Sequence, residues 1–469
     1  MLGIDQNNPE LCGLSWATKV ICSGVFITGR DPKEILTSSC IWMAASDHMV
    51  KQAIDKGDPS ALLELPVEID VDHDTKTVQL SLNGKKAWAR YFGDQGTVIL
   101  PSPDAEIAFT PKPVPVSAKD DNLWGAPGET GDAGRTGCDP EKLNAAADLL
   151  FENDLQFTNA FLVIHKGELL IERYRAPFNA KTQFESWSMG KSIASTLVGV
   201  ACQRGDLSLD EADLFAEWRG ADDPRRDIKV RNIVNMASGL EFLGSYGVEE
   251  DHSVKSIDGR FLDHIYVYGG GVDSYTFCID KPLQDPPGTA GRYRNCDPLL
   301  ATALVRQRSA GGDIQDFLTW PQKHLFDKLG MTGMVLETDP YGHFLISGHD
   351  YGRARDWGRL GLLYAQRGAW GREQIIPEAH VDFVSTPAKE AWAHNPYYGG
   401  FFYTNATNLT PALPKDAYFM SGGGKQRVTI VPSLDLVMVR LGHMAGQIFG
   451  LLETMDDANK MIVEAMPRA

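Results

Sequence analysis

Two hairpin patterns at opposite ends of residues 141–469 constrain the fold of this chain more than any other feature. In the first, apolar runs flank the turn residues 165–167, and in the second they flank residues 432–435. Helical patterns broken by turns fill the long stretch between the two hairpins. An antiparallel sheet built from both ends of the block, flanked by helices and with a helical insert region, satisfies that order. The sequence therefore predicts an α+β fold.

The rest of the chain divides into two regions that differ in composition and in residue pattern. Residues 1–110 combine strand patterns at 67–82 with one helical pattern near 44–56, which predicts a small N-terminal β-rich accessory region. Residues 111–140 hold closely spaced prolines followed by closely spaced glycines. Such a stretch does not pack regularly, so it is predicted to be a linker or a wrapping arm.

Ser188 and Lys191 lie at the start of a run, residues 192–203, that is apolar on nearly every side. Such a run is typical of a buried helix, and a spacing of three places both side chains on one helical face. The positive end of the helix dipole favours an alkoxide at Ser188, while burial disfavours a protonated Lys191. A serine with a base beside it is what nucleophilic catalysis needs. The S-x-x-K pattern also occurs by chance, but the buried helix behind it favours the catalytic interpretation.

Tyr293 supplies a third candidate group later in the chain. It follows Pro286-Pro287-Gly288, a sequence that forces a turn. Its phenol could relay a proton between Ser188 and a leaving group, although a core tyrosine with a satisfied hydroxyl is the commoner case. Asn295 could hydrogen-bond a substrate carbonyl, or simply shape the turn.

A run of three glycines beginning at Gly422 precedes the last hairpin and allows the main chain to approach a ligand closely. The backbone N–H of Gly423 is predicted to pair with that of Ser188 as an oxyanion hole, although a flexible loop would explain the glycines equally well.

Substrate-binding candidates extend beyond these groups. Residues 238–275 are rich in glycine and tyrosine, and Tyr246 and Tyr266 within them are predicted, with Asn295 and Gly422, to contact substrate. A plain surface loop accounts for the same composition.

Composition excludes several classes of partner. The net charge of −17 and the pI of about 5.1 argue against nucleic acid and anionic membranes, since both require a basic surface. No apolar run is long enough to span a membrane, and the start lacks a leader pattern, which predicts a cytoplasmic protein as written and a periplasmic or secreted one if a leader was removed. The seven cysteines lack C-x-x-C spacing and are typical of buried thiols, but a bridge from Cys22 to Cys12 or Cys40 stays open for an exported protein. The histidines lack metal-ligand spacing, so no metal site is predicted.

The Ser188–Lys191 segment, the Tyr293 segment and the glycine run at Gly422 follow one another along the chain in the order seen in the serine β-lactamase and penicillin-binding-protein superfamily. The chain therefore resembles that superfamily. Within it the likeness is to class C β-lactamases and to esterase and amidase relatives such as 6-aminohexanoate-dimer hydrolases. The resemblance covers about residues 145–445. Besides the segments above it includes Phe161-Leu-Val-Ile-His-Lys-Gly-Glu, Gly205-Asp-Leu-Ser-Leu-Asp, Met236-Ala-Ser-Gly-Leu, Pro287-Gly-Thr and Gln426-Arg-Val-Thr-Ile-Val-Pro-Ser.

The resemblance implies that residues 141–469 form a serine hydrolase catalytic domain. It also implies a role for several side chains and backbone groups of this domain. Ser188 would be the acylated nucleophile and Lys191 the base that deprotonates it. Tyr293 would serve the leaving group and deacylation, and the backbone N–H groups of Ser188 and Gly423 would hold the oxyanion. No metal or organic cofactor is implied, and the substrate would be a small molecule or oligomer with an ester or amide bond.

One motif departs from the family pattern. Met420-Ser421-Gly422 stands where β-lactamases and penicillin-binding proteins carry Lys-Thr-Gly, so the cation that meets a β-lactam carboxylate is missing unless Lys425 restores it. The sequence therefore favours an esterase or amidase that acts through an acyl-enzyme. A β-lactamase or D,D-peptidase is the first alternative, and a non-catalytic binding protein on the same fold is the second. A homo-oligomer is compatible with all three.

Overall fold

The computed structural model describes residues 3–43, 47–63, 65–117, 123–126, 129–244 and 256–467. Within these ranges no helix combines the length and the apolarity needed to cross a membrane. All seven cysteines lie in described residues, and none of them forms a disulfide.

The described helices are numbered in chain order. They are α1 (Pro9–Phe26), α2 (Pro32–Ser38), α3 (Asp47–Lys56), α4 (Pro140–Glu152), α5 (Gly190–Arg204), α6 (Val230–Val234), α7 (Asp263–Gly269), α8 (Ser274–Ile279), α9 (Cys296–Ser309), α10 (Ile314–Phe317), α11 (Asp327–Leu329), α12 (Ala354–Ala365), α13 (Glu378–Ser385) and α14 (Leu451–Ala465).

The described strands are numbered in the same way. They are β1 (Glu68–Asp72), β2 (Thr77–Leu82), β3 (Lys85–Tyr91), β4 (Thr97–Leu100), β5 (Thr158–His165), β6 (Glu168–Tyr174), β7 (Phe184–Glu185), β8 (Ser256–Ile257), β9 (Arg260–Phe261), β10 (Val335–Leu336), β11 (Asp350–Gly352), β12 (Ala369–Trp370), β13 (Glu373–Gln374), β14 (Tyr398–Gly399), β15 (Phe402–Thr404), β16 (Tyr418–Gly422), β17 (Gln426–Val431) and β18 (Leu436–Gly442).

The main sheet joins the two ends of the large block, which confirms the predicted α+β architecture. Its seven strands run in the order β14-β15-β16-β17-β18-β5-β6, and every neighbouring pair is antiparallel. Strands β5 and β18 pair with Val163 opposite Met438, so the first hairpin continues the sheet of the last one. All residues of β5, β17 and β18 are buried, so their apolar runs do not alternate with exposed polar residues.

Helices cover both faces of this sheet. On one face α4 and α14 pack against each other and share an apolar cluster with Val163 and Met438. On the other face α12 packs against β17, β18 and β5. The insert between β6 and β14 contains α5, which packs against α9. This arrangement leaves the beginning of α5 next to the end of β16.

The N-terminal region contains more helix than the sequence predicts. Strands β1 to β4 form an antiparallel sheet in chain order, and α1 packs against β2 and β3 on one side and against α7 on another. Helix α1 is buried from Leu14 to Gly24, so its sequence lacks the polar stripe by which an amphipathic helix is recognised. The apolar side chains of α1 and of α5 belong to one continuous core.

The proline- and glycine-rich stretch follows the surface of the large block. Ser117 N–H donates to Asp327 at 3.1 Å, and the Trp124 indole donates to the Gly167 carbonyl at 2.9 Å. Further along, Gly131 and Asp139 donate from their backbones to Leu169 and Ala465. The described parts of the stretch therefore contact the main sheet and α14 at several places.

Candidate active site

The candidate nucleophile lies on a tight turn that leads into α5. Residues Trp187–Met189 form a single 3₁₀ turn, and α5 begins at Gly190. There is no room for a side chain at Gly190, because a Cβ there would lie 2.0 Å from Asp350 Oδ1. Ser188 is half-buried, whereas Lys191 is 1% exposed. The turn thus presents the hydroxyl at the surface of the core and keeps the amine inside it.

Lys191 points at Ser188 from within the core. Its Nζ lies 2.9 Å from Ser188 Oγ, 2.6 Å from Asn295 Oδ1 and 2.9 Å from the Ser347 carbonyl oxygen. All three acceptors are uncharged. The amine is therefore oriented by hydrogen bonds without a carboxylate in direct contact.

Burial without a direct counter-ion changes the proton affinity of this amine. Desolvation lowers the pKa of Lys191 to about 7, and the nearby Asp350 carboxyl opposes the shift only in part. Burial in turn raises the pKa of Asp350 to about 8, so this carboxyl is largely protonated at neutral pH. A neutral amine is consequently available to accept a proton from Ser188 near pH 7.

Tyr293 stands next to this pair. Lys191 Nζ lies 4.8 Å from the centre of the Tyr293 ring, and the ring itself is half-buried. Tyr398 and Tyr403, from β14 and β15, pack against Tyr293 with ring centres 5.9 and 6.1 Å away. The structure therefore brings the serine, the lysine and the tyrosine into one place.

The glycine run forms the other side of the turn. Gly422 ends β16, and a Cβ there would lie 2.1 Å from the Ser186 carbonyl oxygen, so only glycine permits this approach. At Gly423 a Cβ would lie 3.5 Å from Trp187 Cγ. The main chain of Gly423 thus lies beside Trp187, the residue that precedes Ser188.

Two of the predicted substrate-binding side chains, those of Asn295 and Tyr266, form hydrogen bonds within the protein. Both polar ends of Asn295 contact protein, because its Oδ1 accepts from Lys191 and its Nδ2 donates to the His264 carbonyl. Tyr266 is buried, and its hydroxyl donates to the Ile4 carbonyl at 2.5 Å. The structure directs both side chains to the protein interior, where they support the site's framework. Tyr246 lies outside the described residues.

Four groups near the site are absent from the sequence-based prediction. The Ser347 carbonyl gives no sequence signal, because any residue has one. Tyr398 and Tyr403 belong to an aromatic run at 397–403 that could have been noticed. Trp42 packs edge-on against Trp187, with ring centres 5.2 Å apart, and comes from the N-terminal region.

One cluster of the described residues has the spacing of a metal site. Ligand atoms of Asp273, Asp339 and His343 lie within 4.8 Å of one another. Asp339 accepts hydrogen bonds from the backbone and hydroxyl of Ser274, and Asp273 caps α8 through Thr276 N–H. Although burial opposes it, the two carboxylates raise the pKa of His343 to about 9. A protonated histidine between two carboxylates explains the cluster as a structural ion pair.

The fold is an antiparallel sheet flanked by helices, and Ser188 and Lys191 lie at the turn that leads into a buried helix. Residues 150–447 match the family described as Beta-lactamase. The chain therefore belongs to the beta-lactamase family. The matched range begins after the N-terminal region and the arm.

Relatives and solved structures agree with this assignment. The chain is 24% identical over 293 residues to a 6-aminohexanoate-dimer hydrolase of Paenarthrobacter ureafaciens, a match that covers 61% of this chain and 72% of the relative. A putative 6-aminohexanoate-dimer hydrolase from Bacillus anthracis has a similar structure, with a TM-score of 0.53 and 18% identity over 67% of this chain and 82% of that one. A family VIII carboxylesterase has a TM-score of 0.52 and 16% identity, with 68% and 98% covered.

Proposed function

We propose that this protein is a serine hydrolase that cleaves carboxylic esters or amides through a covalent acyl-enzyme at Ser188. The observation that carries the proposal is the 2.9 Å contact between Ser188 Oγ and Lys191 Nζ, made by an amine whose pKa is about 7. A half-buried hydroxyl beside a buried neutral base is the arrangement in which serine becomes a nucleophile.

Acylation begins with the transfer of the Ser188 proton to the neutral Lys191 amine. Ser188 Oγ forms a bond to the substrate carbonyl carbon, and the carbonyl oxygen becomes an oxyanion near the backbone N–H groups of Ser188 and Gly423. Collapse of this intermediate breaks the bond to the alcohol or amine. The leaving group takes a proton from Lys191 or through the Tyr293 phenol, which restores the neutral base.

Deacylation uses the same catalytic groups, and a water molecule takes the place of the leaving group. A water molecule gives one proton to Lys191, directly or through the Tyr293 phenol, and attacks the acyl carbon. The second tetrahedral intermediate collapses, the acid leaves and the proton returns to Ser188 Oγ. The positive end of α5 favours negative charge at this position in both steps.

An ester or amide substrate is favoured over a β-lactam. Met420 occupies the position of the family's lysine and is fully buried in the core, so it offers no charge to a substrate carboxylate. The charge of Lys425 interacts with Glu453 of α14 and with Arg427. Relatives named for an amide oligomer and for carboxylic esters support the same choice.

The test compares Ser188→Ala with Ser195→Ala, a buried serine on the same helix that hydrogen-bonds His380. We expect the first variant to lose turnover of p-nitrophenyl esters, amino-acid amides or ω-amino-acid oligomers and to lose labelling by a fluorophosphonate probe, with little change in melting temperature. The control variant should keep both activities. Nitrocefin in the same screen separates the β-lactamase alternative.

Two results would contradict the proposal. Equal turnover by wild type and Ser188→Ala would remove the nucleophile assignment. A wild-type protein that no fluorophosphonate labels and no ester or amide acylates would favour a binding protein on the same fold.

A further inference from the structure

Helix α1 reaches the loop that carries the carbonyl partner of Lys191, although α1 lies outside the family-matched range. The Trp16 indole N–H donates to His349 Nε2 at 2.9 Å. Because an indole nitrogen only donates, His349 Nε2 must be the unprotonated nitrogen of the ring. His349 Nδ1 then carries the proton and donates to Glu337 Oε2 at 3.1 Å. The tautomer of His349 is thus fixed from both sides.

Glu337 is held almost entirely by the N-terminal region. Ser23 Oγ of α1 donates to its Oε1 at 2.6 Å, and Thr97 N–H of β4 donates to the same oxygen at 2.8 Å. Lys19 Nζ lies 3.4 Å from the other oxygen. Every one of these groups is buried. The carboxylate therefore connects α1 and β4 to the segment 337–349.

That segment forms one wall of the Lys191 environment. The Ser347 carbonyl accepts from Lys191 Nζ, and the Ser347 hydroxyl shares a 2.6 Å hydrogen bond with the Tyr268 hydroxyl. The Tyr268 ring packs against the His349 ring with centres 4.5 Å apart, and against Trp16 at 5.9 Å. A displacement of His349 would consequently be transmitted to Ser347 through Tyr268 and through the short backbone between them.

We propose that Trp16 is a positioning residue for the reaction, because its indole fixes His349 and through it the Ser347 carbonyl that aims Lys191 at Ser188. The N-terminal region is then part of the active centre and not an accessory. This inference rests on the proposed role of Lys191 as the base. Misplacement of a catalytic group by less than an ångström lowers the rate of the chemical step and leaves substrate binding largely unchanged.

The test is Trp16→Phe, which removes the indole N–H and keeps an aromatic ring. We expect kcat for an ester substrate to fall about tenfold, KM to change less than about twofold, and the rate constant for fluorophosphonate labelling to fall in parallel with kcat.

Trp218→Phe is the matched control. Trp218 is fully buried and its indole donates one 2.8 Å hydrogen bond to the Ile279 carbonyl. This variant should lose a similar amount of thermal stability and keep kcat, which separates positioning from a general loss of packing.

The outcomes distinguish this inference from the proposed function. Labelling of wild type at Ser188, combined with an unchanged kcat and labelling rate in Trp16→Phe, overturns the inference and leaves the proposed function intact. Absence of labelling in wild type overturns both. Should Trp16→Phe not fold, His349→Phe keeps an aromatic ring but removes the acceptor of the same hydrogen bond, and it must show the same loss of kcat with KM retained.

Discussion

The protein buries two lysines to the same degree but gives their amines different partners. Lys191 and Lys19 are each 1% exposed. Lys191 has three uncharged acceptors, whereas Lys19 lies 3.4 Å from the Glu337 carboxylate and also donates to the Thr97 carbonyl. Lys19 and the neighbouring hydrogen-bond donors hold the pKa of Glu337 below its usual range despite burial.

The difference shows how the partners of a buried amine influence its proton affinity. Removal from water disfavours the ammonium form in both places. Burial lowers the pKa of Lys19 as well, but the charge of the Glu337 carboxylate and its hydrogen bond oppose that shift, and the two groups form an ion pair that ties α1 to the core. At Lys191 the nearest carboxyl, Asp350, is itself buried with a raised pKa, so the amine loses its proton near neutrality.

The largest expected effect comes from Lys191→Met. The variant should lower kcat by about 10⁴-fold, equivalent to roughly 5 kcal/mol of barrier, because it removes the amine that lies 2.9 Å from Ser188 Oγ. The free energy of unfolding should change by no more than about 1 kcal/mol, since lost hydrogen bonds are offset by the removal of a desolvated amine. Initial rates and chemical denaturation measure the two quantities. A rise in KM with kcat retained would contradict the assignment of Lys191 as the base.

The counterpart, Lys19→Met, should act on stability. It leaves the Glu337 carboxylate buried without its cation, which costs about 3–5 kcal/mol of unfolding free energy. The double variant Lys19→Met/Glu337→Gln should recover part of this loss, because the amide keeps its acceptor oxygen without a charge. If the single variant were as stable as wild type, Lys19 and Glu337 would not form the ion pair described above.

The smallest effect concerns pH. A base with a pKa of about 7 must be neutral to act, so kcat/KM should rise about tenfold per pH unit below pH 7 and level off above it. Asp350 carries only a fractional negative charge near pH 7, because burial raises its pKa to about 8, so Asp350→Asn should move this limb only slightly, to lower pH and by less than about one unit. Asp356→Asn, at another buried carboxyl with a raised pKa, is the control and should leave the limb in place. A shift of the limb to higher pH in Asp350→Asn would contradict the electrostatic picture of this pocket.

Local patterns in the sequence were enough for much of the fold. The turns at 165–167 and 432–435 and the helices near 44–56 and 192–203 are confirmed within a few residues, because alternation and apolar runs act over short distances. The spacing of Ser188 and Lys191 likewise depends only on the helix that carries them. The match to the beta-lactamase family confirms the resemblance drawn from the same motifs.

What the sequence could not supply are contacts between remote segments. The carbonyl that receives the Lys191 hydrogen bond is 156 residues away, and a backbone oxygen leaves no mark in a sequence. Helix α1 was not predicted, because burial on every side erases the periodicity that identifies a surface helix. The sequence predicted that Asn295 contacts substrate. Whether it can do so depends on the direction of its side-chain amide, which the hydrogen bonds to Lys191 and to the His264 carbonyl determine.

The burial of α1 has a consequence for the folding of the newly synthesised chain. Trp16 leaves the ribosome 333 residues before its partner His349. At synthesis rates of about 5–20 residues per second, the apolar side chains of α1 stay exposed to solvent for on the order of tens of seconds before the segments that bury them are synthesised. Newly made protein should therefore depend on chaperone protection during translation, and its folding should be slow because closing so long a loop is entropically costly.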